Sequence, residues 1–412
     1  MVYIHKLATI KIKGMSQHEE IYHEIKGEDV GIWFISDDYG FKISAKIPSN
    51  VIRSLICKCR IEFLFGKDDK GDKIYFHTGA KIWDNGTNPC IITQPCRFSR
   101  EYEGLKKILS EKEVLIEFYD ELVTCSATAE LTIKEEDRLS TLQFLGDTNE
   151  LYIGDYNTNL SLSMDSFVFT LDSSQKTFNS YNIKVKSVAC EIKNWNIINK
   201  HYVGVSDAQK VIISDKDEGG TFERQIWFSL ESLFLNDIYL NPIVHQDNKE
   251  RELTDILAHH LYGNFLIETK ALGILNNNNE QTIERKVTNV KKQVSKGIKQ
   301  LIGANKNINR NLPIFSRYGK QIKLDTTLVP HCVVLVSELI PFGYWKDVEK
   351  EIILAMMNEK IYLHVMDCHE FIKYVKASLG RKEMLDYYLM GRAENFIENG
   401  GNIHIKTNFK KG

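Results

Sequence analysis

Glu252-Leu-Thr-Asp-Ile-Leu-Ala-His-His-Leu-Tyr-Gly-Asn-Phe-Leu-Ile-Glu-Thr-Lys270 consists of two short apolar runs on either side of a turn-forming segment. Gly263-Asn264 suits a tight hairpin, because glycine tolerates the positive φ that such turns need. With those two residues as the loop, Tyr262 pairs with Phe265, Asp255 faces Leu272 and His259 faces Glu268. Side chains alternate along a strand, so Asp255, Glu268 and Lys270 fall on one face of the sheet. In that register Lys270 is diagonal to Asp255 and Glu268 lies one pair further on. Bringing both carboxylates onto one ion then requires a bulge or a different turn length.

An acid on one apolar strand and Glu-x-Lys on the next is the minimal kit for metal-assisted phosphodiester hydrolysis. Two carboxylates, here Asp255 and Glu268, suit a hard divalent cation such as Mg²⁺ or Mn²⁺, which keeps several of its waters. Such an ion polarises a phosphoryl oxygen and lowers the pKa of a bound water. Lys270 adds a point charge that can orient the attacking water and offset charge on the phosphate. Phe265, Leu266, Ile267 and Ala271 fit a buried strand that would hold these groups rigidly. Glu-x-Lys also occurs at Glu24–Lys26 and at Glu191–Lys193, the latter in a strand-like run from Ile183 to Trp195. Neither follows an acid on a hairpin strand, and neither precedes a basic amphipathic helix.

The arrangement resembles the PD-(D/E)xK, or restriction-endonuclease-like, superfamily over roughly residues 240 to 405. The resemblance implies that Asp255 is the signature acid, Glu268 the second acid and Lys270 the lysine. It also implies that Glu252 is the accessory upstream glutamate and that Gln300 is the glutamine of the following helix, near the substrate backbone. The sequence departs from the pattern at Thr254, where the family's proline would stand.

After about residue 240 the hydrophobic period becomes helical. Asn241-Pro242 suits a helix start, and that helix would deliver Glu252. Over Glu280 to Asn307, Ile283, Val287, Val290, Val294, Ile298 and Leu301 recur three and four apart, the signature of an amphipathic helix. Its polar side holds Arg285, Lys286, Lys291, Lys292, Lys296 and Lys299; the last four are candidate contacts for nucleic-acid phosphates. A buried strand at Cys332–Ser337 follows, then a helix at Trp345–Asn358 and a strand at Ile361–Met366. Asp367 is an N-cap for a helix through Ala377, and a last helix, Lys382–Glu398, is stopped by Asn399-Gly400-Gly401. Asn276–Asn279 reads as a loop.

The preceding residues read mostly as strands: Val30–Ser36 turning into Phe41–Ile47, Ile61–Phe65, Lys73–Phe76, Glu113–Tyr119, Ala127–Ile133, Leu160–Ser163, Ser166–Thr170 and Tyr181–Cys190, with a short helix at Glu101–Leu109. The polar stretch from Ile133 to Leu142 suggests a boundary. The expected class is α+β: a β-rich domain at 1–130, a second at 131–238 with a recognition or regulatory role, and at 239–412 an α/β nuclease-like domain whose mixed sheet is flanked by helices.

Over 412 residues, 53 Lys and Arg against 55 Asp and Glu leave a net charge of −2, so contact with nucleic acid must rest on a local patch. The eight cysteines are scattered without Cys-x-x-Cys spacing, which points to reduced thiols and a cytoplasmic setting. No signal-peptide profile, membrane-length apolar run, Walker-type loop or serine nucleophile elbow is visible. The expected protein is a metal-dependent endonuclease, on DNA ahead of RNA, in a restriction or anti-phage setting. Unregulated cleavage would be toxic, so homo-oligomeric assembly or a regulatory ligand or protein is expected to control it. The alternatives are a non-catalytic nucleic-acid-binding or sensor protein on the same fold, and an interaction protein dominated by its N-terminal sheets.

Overall fold

The computed structural model describes residues 2–4, 17–37, 40–69, 71–84, 89–171, 183–204, 208–246, 249–275, 283–339 and 344–404. The protein is α+β, and its described residues form two compact units that divide between Ile198 and Asn199.

In the first unit, nine described strands form one sheet: β1 (Val2–Ile4), β2 (Gly31–Asp37), β3 (Gly40–Lys46), β4 (Ile61–Asp68), β5 (Tyr75–Ile82), β6 (Cys90–Cys96), β7 (Glu113–Tyr119), β8 (Cys125–Ile133) and β9 (Lys184–Ile197). Their spatial order is β1-β6-β5-β4-β9-β8-β7-β3-β2. The edge strand β2 folds back over the far half of the sheet: Ile32 N donates to the Gln94 side chain at 2.9 Å, and the Phe34 ring lies 5.6 Å from Phe63. Five described helices accompany it: α1 (Gln17–Gly27), α2 (Ser49–Ile56), α3 (Ser99–Ser110), α4 (Glu135–Leu145) and α5 (Thr158–Leu171). The strands expected at 160–163 and 166–170 are instead α5. Leu160, Met164 and Phe167 are buried at helical spacing, and that burial decides the period. The expected boundary at 130/131 falls inside β8, which pairs with β9, so one sheet crosses it. The polar stretch that suggested a linker is α4. The hairpin from β2 to β3 closes with Asp37 opposite Gly40, and the turn residues 38–39 lie outside the described residues.

The second unit begins with the hairpin β10 (Lys200–Val203) and β11 (Ala208–Val211), then α6 (Glu218–Phe234). It continues through β12 (Ile238–Leu240), β13 (Ile243–Gln246), β14 (Lys249–Glu252), β15 (Ile256–His260), β16 (Gly263–Lys270) and α7 (Ile283–Asn309). Then come β17 (Ile314–Phe315), β18 (Gln321–Ile322), β19 (His331–Val336), α8 (Lys346–Glu359), β20 (Tyr362–Asp367), α9 (Cys368–Ala377) and α10 (Lys382–Glu398). The main sheet runs β12-β15-β16-β19-β20; its first three strands are antiparallel, and β16, β19 and β20 are parallel. Helices α7 and α8 cover one face, with Val290, Val294, Ile298 and Leu301 packed over Leu266, Cys332 and Val334. Helices α6 and α9 pack on this sheet as well. Asp367 caps α9, accepting from Glu370 N at 2.7 Å.

Two expectations for this unit are corrected. No helix starts at Asn241-Pro242: Asn241 adopts φ 49°, which asparagine tolerates, and turns the chain from β12 into the β13–β14 hairpin. Residues 199–238, expected in a β-rich domain, belong here and include the helix α6. The expected loop at 276–279 lies outside the described residues.

Candidate functional site

Strands β15 and β16 pair Ile256 with Ile267, Leu257 with Leu266 and His260 with Gly263, so Leu261 and Tyr262 form the turn. This corrects the expected Gly263-Asn264 turn. Asn264 is buried and donates its side-chain N–H to the Asp325 carbonyl at 2.8 Å, which holds it in the sheet. Gly263 serves close approach: a Cβ there would lie 2.7 Å from Asp386 Oδ1 and 2.8 Å from His260 Nε2. Since the register shift is even, every side chain keeps its expected face. Asp255, however, changes partner. One step beyond the Ile256–Ile267 pair it comes level with Glu268 instead of Leu272, so a different turn supplies what a bulge would otherwise have had to provide.

Lys270 Nζ lies 2.6 Å from Glu268 Oε2 and 3.8 Å from Asp255 Oδ2, with side-chain exposures of 10 % for the lysine, 2 % for Glu268 and 11 % for Asp255. Asp255 Oδ2 accepts from Thr269 N at 2.6 Å and from Thr269 Oγ1 at 3.1 Å. Thr254, where the family pattern has proline, donates its hydroxyl to the Ile267 carbonyl at 2.8 Å and so locks the two strands beside the acids. Helix α7 reaches the lysine through Gly297, where a Cβ would stand 3.4 Å from Lys270 Cε and 3.0 Å from Val334 Cγ1.

Glu252, at the exposed end of β14, accepts from Asn241 Nδ2 at 3.1 Å. Asn241 also hydrogen-bonds Glu223 on α6. Sequence reasoning passed over Glu223 and read Asn241 only as a helix start. The signal for α6 was present: Asp217 as N-cap, followed by Phe222, Ile226, Leu230 and Phe234 at helical spacing. Burial, followed by the charge of Asp255, raises the carboxyl pKa values of Glu223 and Glu252. Burial first and Asp255 second push Glu268 up to about 7, against the opposing pull of Lys270. Four carboxyl groups therefore share one region with the Lys270 ammonium among them.

The chemistry of this donor set fits a hard divalent cation. All the side-chain donors are carboxylate oxygens, and their crowding supplies the negative potential that such an ion neutralises. Among the described residues, no three His, Cys, Asp or Glu side chains already converge on one point as metal ligands. Lys270 draws Glu268 aside and Thr269 holds Asp255. Two carboxylates completed by waters are a sufficient set for Mg²⁺.

The other expected residues are not gathered in. Gln300 is exposed on the flank of α7 that carries Gly297, one turn further on, and no hydrogen bond among the described residues joins it to the acids. Lys291 pairs with Asp347 at 3.3 Å. Lys292, Lys296 and Lys299 form an exposed stripe on the side of α7 away from its buried residues. His259 pairs with Asn264, not Glu268, and stacks on Tyr239, while His260 packs against Phe265. No disulfide bond joins the described cysteines.

No known protein family, characterised protein or solved structure matches the chain. Among the described residues no helix is long and apolar enough to cross a membrane.

Proposed function

We propose that the second unit is a metal-dependent nuclease that hydrolyses phosphodiester bonds, with Asp255, Glu268 and Lys270 as its working residues and DNA as the first substrate to test. The observation that carries this reading is the hairpin register, which sets Asp255 level with Glu268 and Lys270 within reach of both. The sheet order adds support, because the acid-bearing hairpin is followed by a helix and a parallel strand that bury its base.

Asp255 and Glu268 would hold Mg²⁺ or Mn²⁺, with Glu252 and Glu223 adding negative potential. When bound, such an ion supplies phosphoryl polarisation and an acidified water. Thr269 fixes the Asp255 carboxylate through two hydrogen bonds, so one of its oxygens has a defined direction. Lys270, within reach of both carboxylates, would place its ammonium against a phosphate oxygen or the incoming water. Gly297 lets α7 lie close over the lysine stem.

Purified protein incubated with supercoiled plasmid and Mg²⁺ or Mn²⁺ tests the proposal. Nicked or linear product is expected from wild type and not from Lys270→Met or Glu268→Gln, a loss of at least a hundredfold, on the scale of a transition-state charge contact. Equal cleavage by either variant would sink the assignment. Absence of cleavage, together with Mn²⁺ uptake in calorimetry that is the same in wild type and Glu268→Gln, would favour a non-catalytic nucleic-acid-binding protein.

A further inference from the structure

A cavity of about 310 Å³ opens beside edge strand β12, lined in part by Trp227, Tyr239, Tyr318, Arg317, Lys320 and Gln209. Its size is that of a small-ligand site, and its lining combines two chemistries. Trp227 is buried and Tyr239 has its ring parallel to His259, at 6.0 Å and 8°, so these aromatic walls are fixed. Arg317 and Lys320 stand exposed on the turn between β17 and β18, without an ion-pair partner among the described residues. No described lining residue is acidic. The neighbouring Asp237 carboxylate lies 3.5 Å from Lys382.

The turn bearing the two cations is preorganised. Ser316 Oγ accepts from Tyr318 N at 3.3 Å and from Lys320 N at 3.1 Å, Ser316 N donates to the Lys320 carbonyl at 2.7 Å, and Gly319 takes φ 79°. Aromatic faces next to two cations carried on an ordered turn match a planar aromatic group that carries an anion.

We propose that this cavity binds a nucleotide, its base among Trp227, Tyr239 and Tyr318 and its phosphate on Arg317 and Lys320. The source is either a free mononucleotide or one nucleotide of a single strand. Position favours the strand. Tyr239 pairs with Leu257, and Asn241, two residues along the same chain, donates its N–H to the Asp255 carbonyl at 2.8 Å. The aromatic wall and the acid are thus about two residues, or roughly 7 Å, apart along neighbouring strands. On the nuclease reading, on which this last step rests, the pocket seats a base next to the scissile phosphate and selects unpaired nucleotides.

The test is calorimetry on the full chain in EDTA, where cleavage and metal play no part. The probes are the four nucleoside 5′-monophosphates, a short single-stranded oligothymidylate, the same sequence in a duplex, and inorganic phosphate. Binding of mononucleotide or single strand is expected, about tenfold or more weaker in Arg317→Ala/Lys320→Ala and in Tyr239→Leu. Mononucleotide binding would identify a free ligand as sufficient; binding of the oligonucleotide alone would identify the strand. No binding of either, inorganic phosphate binding as tightly as nucleotide, or indifference to both pocket variants would overturn the proposal. None of these readouts depends on cleavage, so the pocket and the nuclease assignment can fail separately.

Discussion

Glu268 is the residue on which the site turns. It is nearly inaccessible, it lies level with Asp255, and its carboxyl stands at about 7 against an unfolded value near 4.3. Because the folded value is the higher one, the stability this group contributes is fully present below about pH 4.3 and is lost as pH rises through 7. In EDTA, thermal unfolding of wild type should therefore gain on Glu268→Gln as pH falls from 8 to 5; a gap independent of pH would contradict the assigned environment. On the proposed metal-dependent reading a divalent ion would replace the proton as the neutralising charge, so Mn²⁺ should raise the wild-type midpoint at pH 8 and leave that of Glu268→Gln nearly unmoved.

Helix α7 does different work on its two sides, and substitutions separate them. Ile298 is fully buried over the sheet, so Ile298→Ala should cost about 2–5 kcal/mol in urea titrations. Lys292, Lys296 and Lys299 line the opposite, exposed side at spacings of four and three. Replacing all three with glutamine should change stability by no more than about 0.5 kcal/mol per lysine. If the stripe contacts a duplex, the salt dependence of DNA affinity should fall by about 0.9 in logarithmic slope per lysine removed. An unchanged slope would assign the stripe to solvation alone. Gly297, on the flank between these sides, is the position where a side chain would press on Lys270 and Val334.

At the scale of the whole molecule, each unit buries a histidine that the fold keeps neutral. In the first unit His77 is fully enclosed, stacked on Phe167 with ring centroids 5.5 Å apart, its Nε2 2.7 Å from Ser163 Oγ, and burial pulls its pKa down to about 3. In the second unit burial likewise holds His364 well below the usual histidine range. The unfolded chain protonates near pH 6.5, so the stability each provides is full above that pH and drains away as pH falls toward the folded value. The slope is at most about 1.4 kcal/mol per pH unit per group. Urea titrations at pH 7 and pH 5 should show wild type losing more stability on acidification than His77→Leu. An equal loss in the variant would place the acid sensitivity elsewhere.

The sequence by itself determined what local periodicity and short-range chemistry can carry. Helix α7 was legible from its apolar spacing, α9 from its Asp367 cap, and the shared face of Asp255, Glu268 and Lys270 from strand alternation, since an even register shift leaves facing unchanged. The tertiary structure alone decided the quantities set by distant partners. Asn264 bonds to the Asp325 carbonyl and Gly263 lies close against Asp386; both belong to the strand, so the turn moves to Leu261-Tyr262 and Asp255 comes level with Glu268. Asn241 hydrogen-bonds Glu223 on one helix and Glu252 on a hairpin, joining residues whose separation in the chain gives no sign of proximity. The apolar segment 158–171 fits either period until Leu160, Met164 and Phe167 are buried, the last two in one cluster with Leu64 and Ile91, and helix wins because one stripe of it can then be covered. Local pattern fixes which way a side chain faces; only packing between distant segments fixes what it faces.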